Sequence, residues 1–385
     1  MPEYGPITCA GCALLCDDVT VSVAGDEVGL EPGCPVGAAW FWQRIVSEAD
    51  GPAATINGAP ADLDAAMARA AELLRAARRP LVGGFDGATV EAARAAVALA
   101  DRLGALVSIG AGGSWPGAPA APLRGLSTAT LGEIRDRSRV VVIWREDPET
   151  THPRLLYRLG FGIVDDARSL IVLDDRETST IERGQVRLSW EPERDLEALV
   201  GLHVLQRRPT ASVGELEPQL RDVLDRLAAV PHAAFVYGPG LTGGAGGQRR
   251  ALALHELVRS LCHERHVVTL ELPRAPGSRS ADDVLAWQSG YGGAVDFAGG
   301  HPELVTDAPP LDDVDVTVLV EPGPAGSVVA GPGDEVWIRT SSAGVSAAGT
   351  AHRLDGVPLT LQAPIDDGAP TAAALLARLL DEVQR

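Results

Sequence analysis

The stretch at residues 80–109, PLVGGFDGATVEAARAAVALADRLGALVSI, decides the fold class of this 385-residue chain. Its apolar run at residues 80–85 predicts a short strand, the amphipathic segment at 89–103 predicts a helix, and residues 105–109 predict a second strand. A strand, a helix and a strand in direct succession are typical of a parallel α/β sheet. We therefore expect an α/β protein whose sheets are built from repeated units of this kind.

The same alternation continues from about residue 60 to the C-terminus. Further helices are predicted at residues 63–78, 130–137, 193–206, 216–229, 249–265 and 372–384. Further strands are predicted at residues 139–144, 170–174, 186–190, 233–237, 267–272, 314–320 and 335–338, with an irregular glycine-rich stretch up to about residue 310. We expect a small β-rich four-cysteine module at residues 1–55 and two doubly wound parallel-sheet domains at residues 56–210 and 211–385.

The composition narrows the class of protein. With 33 Lys and Arg against 52 Asp and Glu, the formal charge is −19, and every basic residue is arginine. Nucleic-acid binding needs a basic surface, so we expect no nucleic-acid partner. No apolar window reaches the roughly 18 residues of a spanning helix, and the N-terminus MPEYGPITCAGC lacks the basic residues of a secretory signal. We expect a cytoplasmic protein without a membrane partner.

Four of the five cysteines lie in the first 34 residues, in the pattern Cys9-x2-Cys12-x3-Cys16-x17-Cys34. Thiolates at these spacings can converge on one metal centre, and disulfides are disfavoured in a reducing cytosol. A triplet with one remote cysteine is common for a four-cysteine iron–sulfur cluster, whereas zinc more often takes two Cys-x2-Cys pairs or a mixture with histidine. The pattern favours an iron–sulfur cluster, with zinc or an empty remnant as the alternatives.

The surroundings of the cysteines predict the small β-rich module. Residues 17–23 alternate like a strand, and Gly25-Asp26 is typical of a hairpin turn. The fifth cysteine, Cys262, lies in the helical run ALALHELVRSLCHERH and is predicted to be a core residue.

Two loops carry candidate binding residues. The loop GPGLTGGAGG at residues 238–247 follows a predicted strand and opens a helix, so the backbone amides at Gly238 and Gly240 can approach a phosphate. A surface turn is the alternative, and no lysine follows as in a P-loop. Asp174 and Arg176 lie at the end of a predicted parallel strand, where an acidic residue can accept hydrogen bonds from a nucleotide base or ribose. A helix cap is the alternative at Asp174.

Two histidines are candidates for acid–base chemistry or for binding an anionic substrate. His152 lies in the sequence THPR and His352 in GTAHR. A lone histidine more often satisfies a local hydrogen bond, and this stays the alternative at both positions. No Ser/His/Asp signature, Walker motif or EF-hand is apparent in the sequence.

Five stretches resemble the B subunit of formylmethanofuran dehydrogenase and its counterpart in the bacterial formyltransferase/hydrolase complex. They are CAGCALLCDD at residues 9–18, STATLGEIRDRSRVVVIW at 127–144, THPRLLYR at 151–158, AWQSGYGGAVDF at 286–297 and GTAHRLDGVPL at 349–359. The wider relation is to the molybdopterin oxidoreductases, and the resemblance extends along nearly the whole chain.

The resemblance implies cofactors, partners and roles. In that family a [4Fe-4S] cluster is held by a module that matches Cys9, Cys12, Cys16 and Cys34. Two α/β domains hold pterin guanine dinucleotides on tungsten or molybdenum, and the B subunit lacks the C-terminal barrel, which is a separate chain. The residues that we assign to the pterin dinucleotides are Asp174, Arg176, Gly238, Gly240 and His352. The implied partners are the other subunits of the complex.

One departure from the family changes the implied function. Family dehydrogenases place a Cys or selenocysteine ligand near the position of Gly112, Gly113 or Ser114, but no cysteine lies between Cys34 and Cys262. Ser114 is the remaining candidate for a protein ligand to the metal. Metal catalysis requires fixed coordination, which favours a structural subunit of a formyltransferase/hydrolase complex in tetrahydromethanopterin-linked one-carbon metabolism. The alternative is an active tungsten or molybdenum bis-pterin dehydrogenase subunit.

Overall fold

The computed structural model describes residues 2–47, 51–85, 87–108, 125–162, 168–273, 275–305, 311–323 and 331–385. The chain divides into two compact units, neither of which is continuous in sequence. Unit 1 comprises Met1–Ala118, Ala275–Arg353 and Pro358–Arg385, and unit 2 comprises Pro119–Arg274 and Leu354–Val357.

Helices and strands alternate along most of the described chain. The helices are α1 (Pro35–Trp42), α2 (Leu63–Ala76), α3 (Val90–Leu103), α4 (Leu131–Arg137), α5 (Pro148–Thr151), α6 (Leu155–Arg158), α7 (Asp195–Arg207), α8 (Glu217–Ala228), α9 (Pro239–Thr242), α10 (Gly247–Leu261), α11 (Ser278–Ser289) and α12 (Ala372–Gln384). The strands are β1 (Glu3–Ile7), β2 (Val19–Ala24), β3 (Glu27–Glu31), β4 (Ala54–Ile56), β5 (Ala59–Ala61), β6 (Pro80–Gly83), β7 (Leu106–Ser108), β8 (Val140–Trp144), β9 (Ser169–Leu173), β10 (Val186–Leu188), β11 (His232–Tyr237), β12 (His266–Glu271), β13 (Ala294–Asp296), β14 (Glu303–Leu304), β15 (Val316–Glu321), β16 (Asp334–Arg339), β17 (Gly349–His352) and β18 (Pro358–Leu361). Short 3-10 turns lie at Ile181–Arg183, Pro192–Arg194 and Leu311–Asp313, and a π turn at Gln43–Ser47 follows α1.

Unit 1 begins with a small antiparallel sheet in the order β1-β2-β3. The hairpin predicted at Gly25-Asp26 is confirmed, since Ala24 pairs with Glu27 across it. Gly25 has φ +59°, a conformation that glycine adopts without a Cβ clash. Helix α1 follows the sheet after Cys34, and both belong to unit 1.

The main sheet of unit 1 has the order β14-β13-β7-β6-β15-β16-β4-β5, and its centre is parallel. Helix α3 joins β6 to β7. Thr89 Oγ1 caps its first turn, and Gly104, at φ +64°, ends it in the left-handed region. Along β6, Val82 belongs to the larger apolar cluster and Leu81 to a smaller one, because successive side chains of a strand point to opposite faces.

The sheet of unit 2 has the order β10-β9-β8-β11-β12, and all its strands run parallel. Strand β8 is buried along its whole length, as its continuous apolar sequence VVVIW predicts for a central strand. The chain passes from β8 to its neighbour β9 and from β11 to its neighbour β12. The connections that leave β8 and β11 therefore lead to opposite sides, which creates a crevice at the carboxyl ends of these two strands.

The predicted fold class is confirmed, with parallel sheets in both units. One local prediction was wrong: residues 278–289 of the supposedly irregular stretch form α11, which ends at Gly290 with φ +86°. The units also differ from the predicted boundaries at 55/56 and 210/211, because strands before and after residue 210 share the sheet of unit 2. None of the described helices combines the length and the apolar character that a membrane crossing requires.

Candidate functional site

The first candidate site is the cysteine loop between β1 and β2, together with the start of α1. The loop closes on itself, because the backbone N–H of Cys9 donates to the carbonyl of Cys16 at 2.8 Å and that of Leu15 donates to Cys12 at 3.2 Å. Cys34 is the N-cap of α1, and its sulfur accepts the N–H of Gly37 at 3.3 Å. All four cysteines are free thiols.

Two glycines leave space around the sulfur atoms. A Cβ on Gly37 would lie 3.2 Å from Cys9 Sγ and 3.4 Å from Cys34 Sγ, and a Cβ on Gly11 would lie 3.4 Å from Cys9 Sγ. The N–H of Gly11 donates to Cys9 Sγ at 3.4 Å. Cys9 and Cys34 therefore approach one another across a gap that a side chain at residue 37 would fill.

The pKa of Cys12 indicates that the four cysteine side chains lie close to one another. Burial raises the pKa of Cys12 far above its ordinary value, and the charges of Cys9, Cys16 and Cys34 raise it further. Within the described ranges, no group of three or more His, Cys, Asp or Glu side chains is placed to hold a metal ion. Four thiols are the ligand set that a four-cysteine iron–sulfur cluster takes.

The second candidate site lies at the carboxyl ends of the strands in unit 2. Asp174 directly follows β9 and is 2% exposed. It accepts hydrogen bonds from Arg176 at the backbone N (3.0 Å), at Nε (2.9 Å) and at Nη2 (2.7 Å). Burial would raise the pKa of Asp174, but the hydrogen bonds and the charge of Arg176 outweigh it and hold the pKa below its ordinary value. The two predicted residues therefore bind one another.

Arg145, which no sequence motif predicted, binds Asp175, Trp190 and Asp195 at this edge of the sheet. It is 4% exposed, and its Nε and Nη2 donate to the two carboxylate oxygens of Asp195 at 2.9 and 3.1 Å. Its Nη2 also donates to the carbonyl of Trp190 at 2.6 Å, and its Nη1 pairs with Asp175. The indole N–H groups of Trp144 and Trp190 donate to Asp195 Oδ1 at 3.0 and 2.9 Å. Both carboxylate oxygens of Asp195 therefore accept hydrogen bonds from donors within the protein.

The glycine loop after β11 lies against the end of β8. Gly240 N donates to Glu146 Oε1 at 2.6 Å. A Cβ on Gly238 would lie 2.9 Å from the same oxygen, and a Cβ on Gly240 would overlap the carbonyl oxygen of Arg145. Both predicted glycines are therefore needed for close backbone packing, and a protein carboxylate occupies the amide of Gly240.

The predicted histidines are in different surroundings. His152 in unit 2 is buried, and its Nδ1 lies 3.0 Å from Thr151 Oγ1. His352 in unit 1 lies 2.7 Å from Asp283 Oδ2 through its Nδ1 and packs on Trp287 with ring centroids 5.2 Å apart. Each has a local partner, as the alternative of a local hydrogen bond predicted. Ser114 lies outside the described residues.

The burial of His152 predicts how the stability of the protein depends on pH. Burial lowers the pKa of His152 from 6.5 to about 4, so between pH 6.5 and 4 the imidazole takes up a proton in the unfolded state but not in the folded state. Its contribution to stability is fully present above pH 6.5 and is lost as the pH falls to 4, by roughly 3 kcal/mol. We expect the free energy of unfolding, measured with urea between pH 7 and 4, to fall less steeply in His152→Gln than in the wild type. Equal slopes would contradict this role of His152.

The prediction for Cys262 was wrong. Helix α10 ends at Leu261, so Cys262 takes the C-cap position and is exposed, with its Sγ 3.1 Å from the carbonyl of Val267.

Unit 1 also contains a cavity of about 400 Å³ at the ends of β6 and β15, which no sequence motif predicted. Its lining includes Gly84, Thr89, Thr340 and Thr371, and it falls within the usual size range of ligand pockets.

Known proteins with similar sequences include B subunits of the two complexes that the five stretches resemble. No family model matches the chain. The B subunit of the tungsten-containing formylmethanofuran dehydrogenase 2 of Methanocaldococcus jannaschii is 26% identical over 94% of this chain and 93% of its own length. Its counterpart from Methanococcus maripaludis is 24% identical over 100% and 99%. The B subunit of the formyltransferase/hydrolase complex Fhc of Methylorubrum extorquens is 28% identical over 65% and 68%.

A solved structure supports the fold. The formyltransferase/hydrolase complex FhcABCD from Methylorubrum extorquens, in complex with methylofuran, contains a chain that matches with a TM-score of 0.66 and 24% identity. The match covers 86% of this chain and 99% of the other. The sequence matches confirm the resemblance to the B subunits of formylmethanofuran dehydrogenase and of the formyltransferase/hydrolase complex, and the solved structure confirms the fold.

Proposed function

We propose that this chain is a structural B subunit of a formyltransferase/hydrolase complex in tetrahydromethanopterin-linked one-carbon metabolism. Such a complex moves a formyl group from a tetrahydromethanopterin carrier to a methanofuran-type carrier and releases formate. The transfer and the hydrolysis take place on partner subunits, and this chain contributes to holding the assembly together.

One observation carries the proposal: the chain is similar to B subunits over nearly its whole length, yet it has no cysteine between Cys34 and Cys262. The resemblance places the thiolate ligand of the dehydrogenase metal in that interval. A metal without fixed protein coordination is poorly suited to catalysis. A pterin metal site is therefore not part of the proposed role.

The cysteine module has its own part in the proposal. Cys9, Cys12 and Cys16 lie on one closed loop and Cys34 lies at the start of α1, so a [4Fe-4S] cluster on these four thiolates would tie the loop to the helix. When bound, such a cluster supplies one-electron transfer. The chain's residues contribute the four thiolates, and Gly11 and Gly37 keep the space beside them open.

An active tungsten or molybdenum bis-pterin dehydrogenase subunit is the second candidate. The observation in its favour is that the two relatives matching the largest share of the chain are both tungsten-containing proteins. In that case Ser114 is the candidate ligand to the metal.

Elemental analysis of the complex, purified with its co-expressed partner subunits, separates these candidates. We expect about four iron atoms per copy of this chain and neither tungsten nor molybdenum. Stoichiometric tungsten or molybdenum would overturn the structural role. Zinc in place of iron, or no metal at all, would overturn the cluster assignment while leaving the structural role in place.

A further inference from the structure

We propose that the crevice at the strand ends of unit 2 is closed from within by four side chains, Arg145, Glu146, Asp175 and Asp195, which we call the edge lock. The inference rests on the proposed function and deepens it, because it states what occupies the crevice where a nucleotide would otherwise bind. In this chain the side chains at the crevice bind one another and stabilise unit 2, and the crevice does not bind a nucleoside phosphate.

The topology places the edge lock at the position where open α/β sheets bind ligands. The connections from β8 and β11 lead to opposite sides of the sheet, so the carboxyl ends of these neighbouring strands flank a crevice. Arg145 and Glu146 are the first two residues after β8, and Gly238 is the first residue after β11. Any ligand in the crevice has to displace these residues or contact them.

Glu146 takes the position that a phosphate oxygen would need. Its carboxylate accepts the N–H of Gly240 at 2.6 Å, and the residue is only 7% exposed. A phosphate that approaches the glycine loop requires the same amide. The negative charge of Glu146 would also repel it in this poorly solvated position.

Arg145 takes the acidic groups that a base or a ribose would need. Its guanidinium binds Asp195 through two nitrogens and Asp175 through the third. Asp174, a further carboxylate at this edge, is held by Arg176, whose Nη2 also donates to the carbonyl of Arg145 at 2.9 Å. The carboxylates of Asp174, Asp175 and Asp195, which could accept hydrogen bonds from a nucleotide, are thus engaged within the chain.

The backbone is shaped to fit this closure. Arg145 has φ +57°, a left-handed conformation that is unfavourable for a residue with a Cβ. This turn sets the carbonyl of Arg145 against Gly240, so that no side chain could be tolerated there. The hydrogen bonds of the buried guanidinium offset the cost of the turn.

Hydrogen–deuterium exchange with mass spectrometry of the 385-residue chain tests the edge lock. In Glu146→Ala the peptide covering residues 238–242 should exchange about tenfold faster, because the amide of Gly240 loses its acceptor. Glu146→Gln is the matched control, and its amide oxygen should keep the exchange within about threefold of the wild type. In the wild type, guanosine diphosphate at millimolar concentration should leave the exchange at residues 144–147 and 238–242 unchanged.

Two results would overturn the inference. One is protection of both peptides by guanosine diphosphate in the wild type, a measurement that needs no variant to fold. The other is equal exchange at residues 238–242 in Glu146→Ala and the wild type. Metal analysis of the same preparation keeps the two proposals apart: tungsten without protection refutes the structural role alone, and protection without tungsten refutes the edge lock alone.

Discussion

Replacement of Arg145 by alanine should lower the free energy of unfolding of unit 2 by about 3–5 kcal/mol. The change leaves the carboxylate of Asp195, which is 1% exposed, without its cation in a site that water does not reach. The indole N–H groups of Trp144 and Trp190 remain as donors, but they carry no charge to balance Asp195. Urea denaturation at pH 7, followed by tryptophan fluorescence, measures the effect close to the altered site.

Arg135→Ala is the matched control for this experiment. Arg135 also pairs with an aspartate, Asp136 at 2.8 Å, but the two side chains are 53% and 63% exposed. An exposed pair contributes about 1 kcal/mol or less, so this variant should unfold close to the wild-type urea midpoint. A loss below 1 kcal/mol in Arg145→Ala would show that the buried network does not stabilise unit 2.

Replacement of Cys12 by serine should remove most of the iron from the purified complex, from about four atoms per chain to below one. Cys12 is the thiol whose pKa the other three cysteines all influence, so it lies among the proposed ligands. Without the cluster, the loop at residues 9–16 and the start of α1 lose their covalent connection, and we expect less of the chain to assemble with its partners. Iron analysis and size-exclusion chromatography measure both effects.

Cys262→Ser provides the control with the same chemical change. Cys262 is exposed and lies in unit 2, whereas the four clustered cysteines lie in unit 1. Iron content and assembly should equal those of the wild type. An unchanged iron content in Cys12→Ser, or an equal loss in both variants, would contradict the assignment of the cluster to the N-terminal module.

Most elements of the fold could be predicted because their signals are local. The strand β8 is a continuous apolar run, and α3 has a threonine cap at one end and glycine at the other. Helix α11 was missed because small and polar residues form much of its buried face: Ser278, Ser280 and Ala281 are buried beside Val284 and Leu285. Such a face gives a weak hydrophobic period, and the neighbouring glycines suggested a loop.

Of the two candidate sites, one could be predicted from local sequence signals and the other could not. Cys9, Cys12, Cys16 and Cys34 could be grouped from the sequence because their spacing is short. The edge lock could not, because Arg145 and Asp195 are 50 residues apart and meet only when β8 and α7 pack together. The motif WREDP at residues 144–148 places three charged residues directly after a buried strand, which was the one available sequence signal.

Asp355 limits how this protein can be divided in the laboratory. Its carboxylate accepts the backbone N–H of Leu131, the first residue of α4, at 2.7 Å across 224 residues of sequence. Residues Leu354–Val357 count with unit 2, although β17 and β18 on either side of them belong to unit 1. A gene fragment that encodes residues 119–274 alone would leave the first turn of α4 without this acceptor. Expression of unit 2 as an isolated piece therefore requires the four-residue segment to be grafted back, for example through a designed linker.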